Sequence, residues 1–129
     1  MLKLTYTETG FHLERLAQSL EEWVVSRVIL SLRVGQKLFV EPSTASFLLP
    51  ADLPGLPLLQ AAAQLERTGA IALALCDDEY VEVSLQGTWL TAEQESAEGV
   101  FVAALSERTE FLLFKLWQET LACTSSLRQ

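Results

Sequence analysis

Short segments in which apolar and polar residues alternate recur along the chain, and this pattern is typical of half-buried β-strands. Tyr80–Leu85 is the clearest case, because Val81, Val83 and Leu85 fall on one face. In residues 70–75 large and small apolar residues alternate instead, which favours a central strand with both faces covered. The segments predicted as strands are 2–7, 11–16, 37–41, 46–49, 70–75, 80–91 and 99–105.

Three segments have the helical spacing of apolar residues, at 20–34, 58–68 and 106–122. Ser19 and Glu22 form a capping box before the first helix, and Gly35 suits its C-terminal stop. Ser106 is predicted to cap the last helix. The apolar positions predicted to be buried in this helix are Leu20, Trp23, Val24, Val28 and Leu32. A strand through 24–29 is the alternative for this segment, because β-branched residues crowd a helix.

The predicted order of elements is ββαββαβββα. Short polar connections at 8–10, 42–45 and 77–79 favour antiparallel hairpins. The chain is therefore predicted to be α+β, with a mostly antiparallel sheet covered by about three helices. No linker divides it, so residues 1–129 are predicted to form a single domain.

The last predicted helix has apolar residues around most of its circumference, whereas covering one face of a sheet needs a stripe of only about 100°. We therefore predict that one flank of this helix packs on the sheet and that the other meets a second subunit. The residues predicted to form this interface are Phe111, Leu112, Phe114 and Trp117. The alternative is that the helix at 20–34 covers this flank within the same chain.

Composition supports a folded, self-associating protein. Half of the residues are hydrophobic and the mean hydropathy is +0.25, yet the net charge is -8. Such a high proportion of apolar residues in a small domain favours a homodimer. The negative net charge argues against nucleic acid as a partner. The N-terminus does not resemble a signal peptide and no apolar run is long enough to span a bilayer, so we expect no membrane association and a cytoplasmic location.

Residues with catalytic potential are few and scattered. His12 is the only histidine, and its place in an alternating segment predicts a solvent-facing strand position. The run Asp77-Asp78-Glu79 lacks the acidic ladder of a calcium loop, and Cys76 and Cys123 do not have the spacing of zinc ligands. We therefore predict no catalytic residues, no metal site and no cofactor, and we expect that the protein is not an enzyme.

The run at 38–50, LFVEPSTASFLLP, and the run at 80–89, YVEVSLQGTW, resemble a family of small uncharacterised cyanobacterial proteins. The resemblance covers most of the chain. It implies a bacterial cytosolic protein and supplies neither an activity nor functional residues.

The leading functional hypothesis is a non-enzymatic cytosolic domain for protein–protein interaction or regulation that acts as a homodimer. The alternative is a small-molecule-binding domain with an apolar pocket under the sheet. The candidate residues for lining that pocket are Trp89, Tyr80 and Phe101.

Overall fold

The computed structural model describes residues 1–66 and 69–127, and the side chains of the last helix as far as residue 122. Strands and helices follow one another along the described chain in the order ββαβαβββα. They are β1 (Leu2–Thr7), β2 (Gly10–Arg15), α1 (Leu20–Arg33), β3 (Phe39–Pro50), α2 (Leu56–Gln64), β4 (Ile71–Leu75), β5 (Tyr80–Thr91), β6 (Gly99–Ala103) and α3 (Glu107–Leu127).

The strands form one sheet in the order β2-β1-β6-β5-β3, and β4 also pairs with β5. The pairs β1–β2, β1–β6, β4–β5 and β5–β6 are antiparallel. The strand β6, which is the last in sequence, lies between β1 and β5. The predicted α+β class, with a mostly antiparallel sheet and three helices, is confirmed.

The hairpin turn predicted at 42–45 is wrong, because β3 is one 12-residue strand that runs through it. Pro42 lacks a backbone N–H, but β3 ends the strand order, and an edge strand tolerates this loss. From Ala45 onward buried and exposed residues alternate, and this part of β3 includes the strand predicted at 46–49. The two predicted strands are therefore halves of one strand.

The segment predicted as either helix or strand is the helix α1. The Ser19 side chain accepts a hydrogen bond of 3.2 Å from the backbone N–H of Glu22, which confirms the predicted N-terminal cap. Gly35 has a φ of +73°, which suits the position that follows a helix end. The helix α2 ends at Gln64, and the predicted end at Thr68 lies outside the described residues.

Backbone contacts divide the chain into two compact units. The first comprises Met1–Thr44 and Gln86–Ala104. Its core includes a cluster of Met1, Trp23, Leu90 and Val102, against which further apolar residues of α1 and the sheet pack. A Cβ atom at Gly87 would collide with the backbone oxygen of Val102, so this position of β5 requires glycine.

The second unit comprises Ala45–Leu85 and Leu105–Gln129. In its described part, α2 packs on α3 and β4. Leu59 of α2 and Leu113 of α3 are fully buried. Phe47 of β3 meets Trp117 of α3 edge to face, with ring centroids 5.5 Å apart.

Candidate functional site

The four α3 residues predicted to form an interface differ in exposure. Phe111 is 53% exposed, whereas Leu112, Phe114 and Trp117 are half-buried. Trp117 contacts Phe47 in its own unit. Of the four side chains, Phe111 is therefore the most open to a partner, and the assignment of all four to an interface stays a prediction.

A more extensive apolar surface lies on the side of α1 that faces away from its core. Val25, Ile29 and Leu32 are 56%, 44% and 72% exposed, and their spacing places them on one helical face. Val28 is half-buried beside them. We call these four residues the outer face of α1. On a surface helix this side normally carries polar residues.

The outer face corrects the buried stripe that the sequence predicted for α1. Trp23 is buried as predicted, but Leu32 is among the most exposed apolar residues of the described chain. The prediction joined positions from two different sides of the helix. The spacing of Val25, Ile29 and Leu32 was a signal for the second side, because it is itself a helical repeat.

Charged residues border the outer face at both ends. Glu21 and Glu22 lie in the first turn of α1 and Arg33 in the last, where each sign suits the helix dipole. Glu22 and Arg33 are eleven positions apart, which at 3.6 residues per turn brings them to within about 20° on the helical wheel. One flank of the outer face is therefore acidic at its beginning and basic at its end.

A cavity of about 320 Å³ lies beside the opposite side of α1, within the first unit. Its wall is mainly apolar and comes from α1, β5, β6 and the segment between α1 and β3. The apolar wall includes Trp23, Leu30, Leu38, Leu90 and Val100.

Two cations, Lys3 of β1 and Arg27 of α1, also line this cavity. The Lys3 Nζ atom lies 5.8 Å from the centroid of the Trp23 ring, and the Arg27 Cζ atom lies 5.0 Å from it. Both distances are within the range of cation–π attraction. Two positive charges thus converge on one aromatic ring at the edge of an apolar cavity.

No carboxylate of the described residues lines this cavity. Among the described residues neither Lys3 nor Arg27 forms an ion pair. Glu14 is the cross-strand partner of Lys3, and its carboxylate lies 3.4 Å from His12 Nε2. The side chain of Ser31 also lines the cavity and has no hydrogen-bond partner among the described residues. The site therefore offers positive charge and a hydroxyl group beside apolar walls.

The structure brings together two of the three residues proposed to line a pocket. Trp89 and Phe101 are direct partners on β5 and β6, and Tyr6 meets Trp89 edge to face with centroids 5.7 Å apart. Phe101 is buried, whereas Tyr80 is exposed at the other end of β5. None of the three lines the cavity beside α1, so sequence reasoning missed Lys3, Arg27 and Trp23 as its lining residues.

Two polar features of the sequence have local partners. His12 is exposed on β2, as predicted, and forms a contact with Glu14. Asp77 Oδ1 accepts hydrogen bonds from the backbone N–H groups of Glu79, at 2.7 Å, and Tyr80, at 2.9 Å. The acidic run thus shapes the turn between β4 and β5.

Several hydrogen bonds meet at Ser106, the residue before α3. The Ser106 hydroxyl accepts a hydrogen bond from the backbone N–H of Thr109 and lies 2.8 Å from its hydroxyl. The backbone N–H of Ser106 donates to the Glu66 carboxylate at 2.9 Å. Partial burial acts to raise the pKa of Glu66, but the hydrogen bonds from Ser106 and Thr109 outweigh it and hold this pKa below its ordinary value. The predicted cap at Ser106 is confirmed, and Glu66 is its unpredicted partner.

Two classes of site have no support in the described part of the chain. No helix there is long and apolar enough to cross a membrane. Nor do three or more His, Cys, Asp or Glu side chains come together there in a group that could hold a metal ion.

The family model described as Alr0857-like matches residues 1–121. This match confirms the predicted resemblance to an uncharacterised family of cyanobacterial type. No curated protein and no solved structure matches the chain.

Proposed function

We propose that this chain, which belongs to the Alr0857-like family, is a non-enzymatic cytosolic protein that acts through protein–protein contact and pairs with a second copy of itself. The observation that carries the proposal is the outer face of α1. Three of its four side chains are exposed apolar groups, and covering them with a partner would remove them from water.

The charges that border this face favour a second copy as the partner. In a pair of α1 helices that run antiparallel about a two-fold axis, the beginning of one helix meets the end of the other. Glu22 then lies beside Arg33 of the partner subunit, and the same contact is repeated by symmetry. A parallel pair would instead bring like charges together.

The size of the face sets the strength that we expect. A 14-residue helix is about 21 Å long, so a contact through α1 alone is small beside a standard interface of about 800 Å² per partner. Full burial of a Val, Leu or Ile side chain contributes roughly 1.5–3 kcal/mol, and association itself costs at least about 4 kcal/mol. We therefore expect a dimer that dissociates in the micromolar range.

The α3 surface around Phe111 is the second contact that we consider, because the sequence predicts it and Phe111 is exposed. A partner that binds there would cover Phe111 together with the half-buried Leu112, Phe114 and Trp117. The two surfaces make different predictions about which substitution breaks the pair.

Sedimentation velocity over a range of protein concentrations tests the proposal. The wild type should change from monomer to dimer, and Ile29→Glu, which places a charge in the outer face, should remain a monomer. Phe111→Glu is the matched control on α3, and it should pair like the wild type.

Two results would count against the proposal. A wild type that keeps the 14.3 kDa mass of a monomer at the highest concentrations would end the homodimer itself. A dimer that survives Ile29→Glu and is lost in Phe111→Glu would move the contact to α3.

A further inference from the structure

We infer that the cavity beside α1 binds a small carboxylate with an apolar body. The body would occupy the apolar wall, and the carboxylate would lie at Lys3 and Arg27. This site differs from the pocket that the sequence suggested, because neither Trp89, Tyr80 nor Phe101 lines it. The inference is also independent of self-association, since Trp23 and Arg27 each lie about 160° from Val25 on the wheel of α1.

The charge of the ligand follows from the cations. Acidic residues outnumber basic ones by 17 to 9 in this chain, so a pair of cations without an acidic partner is unexpected. Among the described residues, however, Lys3 and Arg27 form no ion pair, and no carboxylate from that part of the chain lines the cavity. Their contact with the Trp23 ring leaves their N–H groups able to donate hydrogen bonds.

The class of head group follows from the geometry of the donors. Arginine presents two parallel N–H groups that match the two oxygens of a carboxylate, and lysine adds a compact positive charge. The Ser31 hydroxyl, which has no partner among the described residues, supplies a further donor or acceptor. A phosphate ester shares this chemistry, and the experiment below separates the two head groups.

The size and polarity of the body follow from the walls. Leu38, Leu90 and Val100 provide apolar contact, and the Trp23 ring provides a flat surface. A volume of about 320 Å³ is at the lower end of ligand cavities. The expected ligand therefore has one ring or a short branched chain, and a dissociation constant in the millimolar range or below.

The test uses ¹⁵N-labelled full-length protein and the probe 3-phenylpropionate, with 3-phenylpropanamide as its uncharged counterpart and phenyl phosphate as the alternative head group. The Trp23 indole N–H is the readout, because Trp89 and Trp117 do not line the cavity and serve as internal references. We expect 3-phenylpropionate to shift the Trp23 signal with saturation and at least about tenfold tighter than the amide. Tighter binding of phenyl phosphate would correct the head group to a phosphate ester.

Three variants on the same background identify the site. Lys3→Met and Arg27→Met each remove the positive charge and leave an unbranched apolar side chain. Each should weaken binding of the acid by roughly tenfold without changing binding of the amide. Arg33→Met is the matched control, since Arg33 carries the same charge on α1 about 120° away on the helical wheel and does not line the cavity, so this variant should bind like the wild type. The same variant should weaken self-association. Failure of the dimer proposal can therefore be distinguished from failure of the ligand-binding proposal.

The inference would be overturned if none of the probes shifted the Trp23 signal at about 10 mM, well above the dissociation constant expected for ligands of this size. It would be overturned equally if the amide bound as tightly as the acid. If Arg33→Met lost as much affinity for the acid as Arg27→Met, the effect would reflect net charge alone, and this result would also contradict the inference.

Discussion

The backbone N–H of Ser106 donates a 2.9 Å hydrogen bond to the carboxylate of Glu66, 40 positions earlier in the chain. This bond joins the segment after α2 to the N-terminus of α3. It gives an acceptor to a backbone group just before the helix, and it places a negative charge at the positive end of the helix dipole.

We expect Glu66→Gln to lower stability at neutral pH and to reduce its dependence on pH. The hydrogen bonds hold the folded-state pKa of Glu66 below its ordinary value of 4.5. Stabilisation by this carboxylate is therefore fully present above the unfolded-state pKa and is lost as the pH falls through the folded-state pKa. Because the side chain is only partly buried and solvent screens its charge, the expected loss at pH 7 is at most about 1 kcal/mol.

The measurement is urea unfolding of both proteins from neutral pH down to about pH 3, where their stabilities should converge. Glu107→Gln is the control. Glu107 is exposed in the first turn of α3, beside the Glu66 contact, and has no hydrogen-bond partner among the described residues. A constant difference between wild type and Glu66→Gln at every pH would contradict the assigned role of the charge.

Asp77→Ala should destabilise the turn between β4 and β5. The Asp77 carboxylate accepts two backbone hydrogen bonds, and removing it leaves both N–H groups to water. A loss of about 1 kcal/mol should lower the melting temperature by roughly 3–5 °C. The neighbouring Asp78→Ala has the same change of charge without those bonds, so equal melting temperatures for the two variants would refute the explanation.

Gly87→Ala should impair folding severely. The added methyl group would collide with the backbone oxygen of Val102 and the ring of Phe101, and neither a sheet backbone nor a buried ring moves freely. Overpacking of this kind typically costs about 1–3 kcal/mol and more where backbone is involved. Circular dichroism during thermal unfolding measures the loss, with the exposed neighbour Gln86→Ala as the control, and a variant as stable as that control would show that β5 and β6 can separate at this point.

Charge reversal tests the antiparallel arrangement of two α1 helices. Glu22→Arg alone and Arg33→Glu alone should each weaken self-association, because each brings like charges together across the two-fold axis. The double variant restores opposite charges and should regain most of the affinity, by roughly 0.5–1 kcal/mol per restored pair. Sedimentation equilibrium at low salt measures the three constants, and a double variant weaker than both single variants would exclude this geometry.

The family match adds no residue assignments, so these tests depend on local geometry. The association and ligand-binding experiments distinguish the outer face of α1 from the cavity on its other side. Substitutions of the outer face should change association without changing ligand binding, and Lys3→Met should do the reverse.

Elements of the fold that depend on neighbouring residues were predictable. Alternation along Tyr80–Leu85 identified part of β5, and the oxygens of Ser19 and Ser106 identified two helix starts. The error at Pro42 has a physical reason, because proline is compatible with an edge strand but not with a central one, and the position of β3 in the sheet is not a local property.

The candidate site depends on contacts between distant parts of the chain. Lys3, Arg27 and Trp23 belong to two elements that meet only when α1 packs on the sheet. Their separate positions in the sequence carry no periodic signal, so no pattern predicted the cavity.

By itself the sequence determined the α+β class and most of the strands and helices. Only the tertiary structure decided which side of α1 is covered. Trp23, which is buried, and Leu32, which is exposed, lie on opposite sides of α1, and each belongs to a set of apolar residues with helical spacing. Periodicity records the direction of a side chain and not what stands opposite it. The packing of α1 through Trp23 settled that choice, and it left the outer face open to a partner and a cationic cavity on the other side.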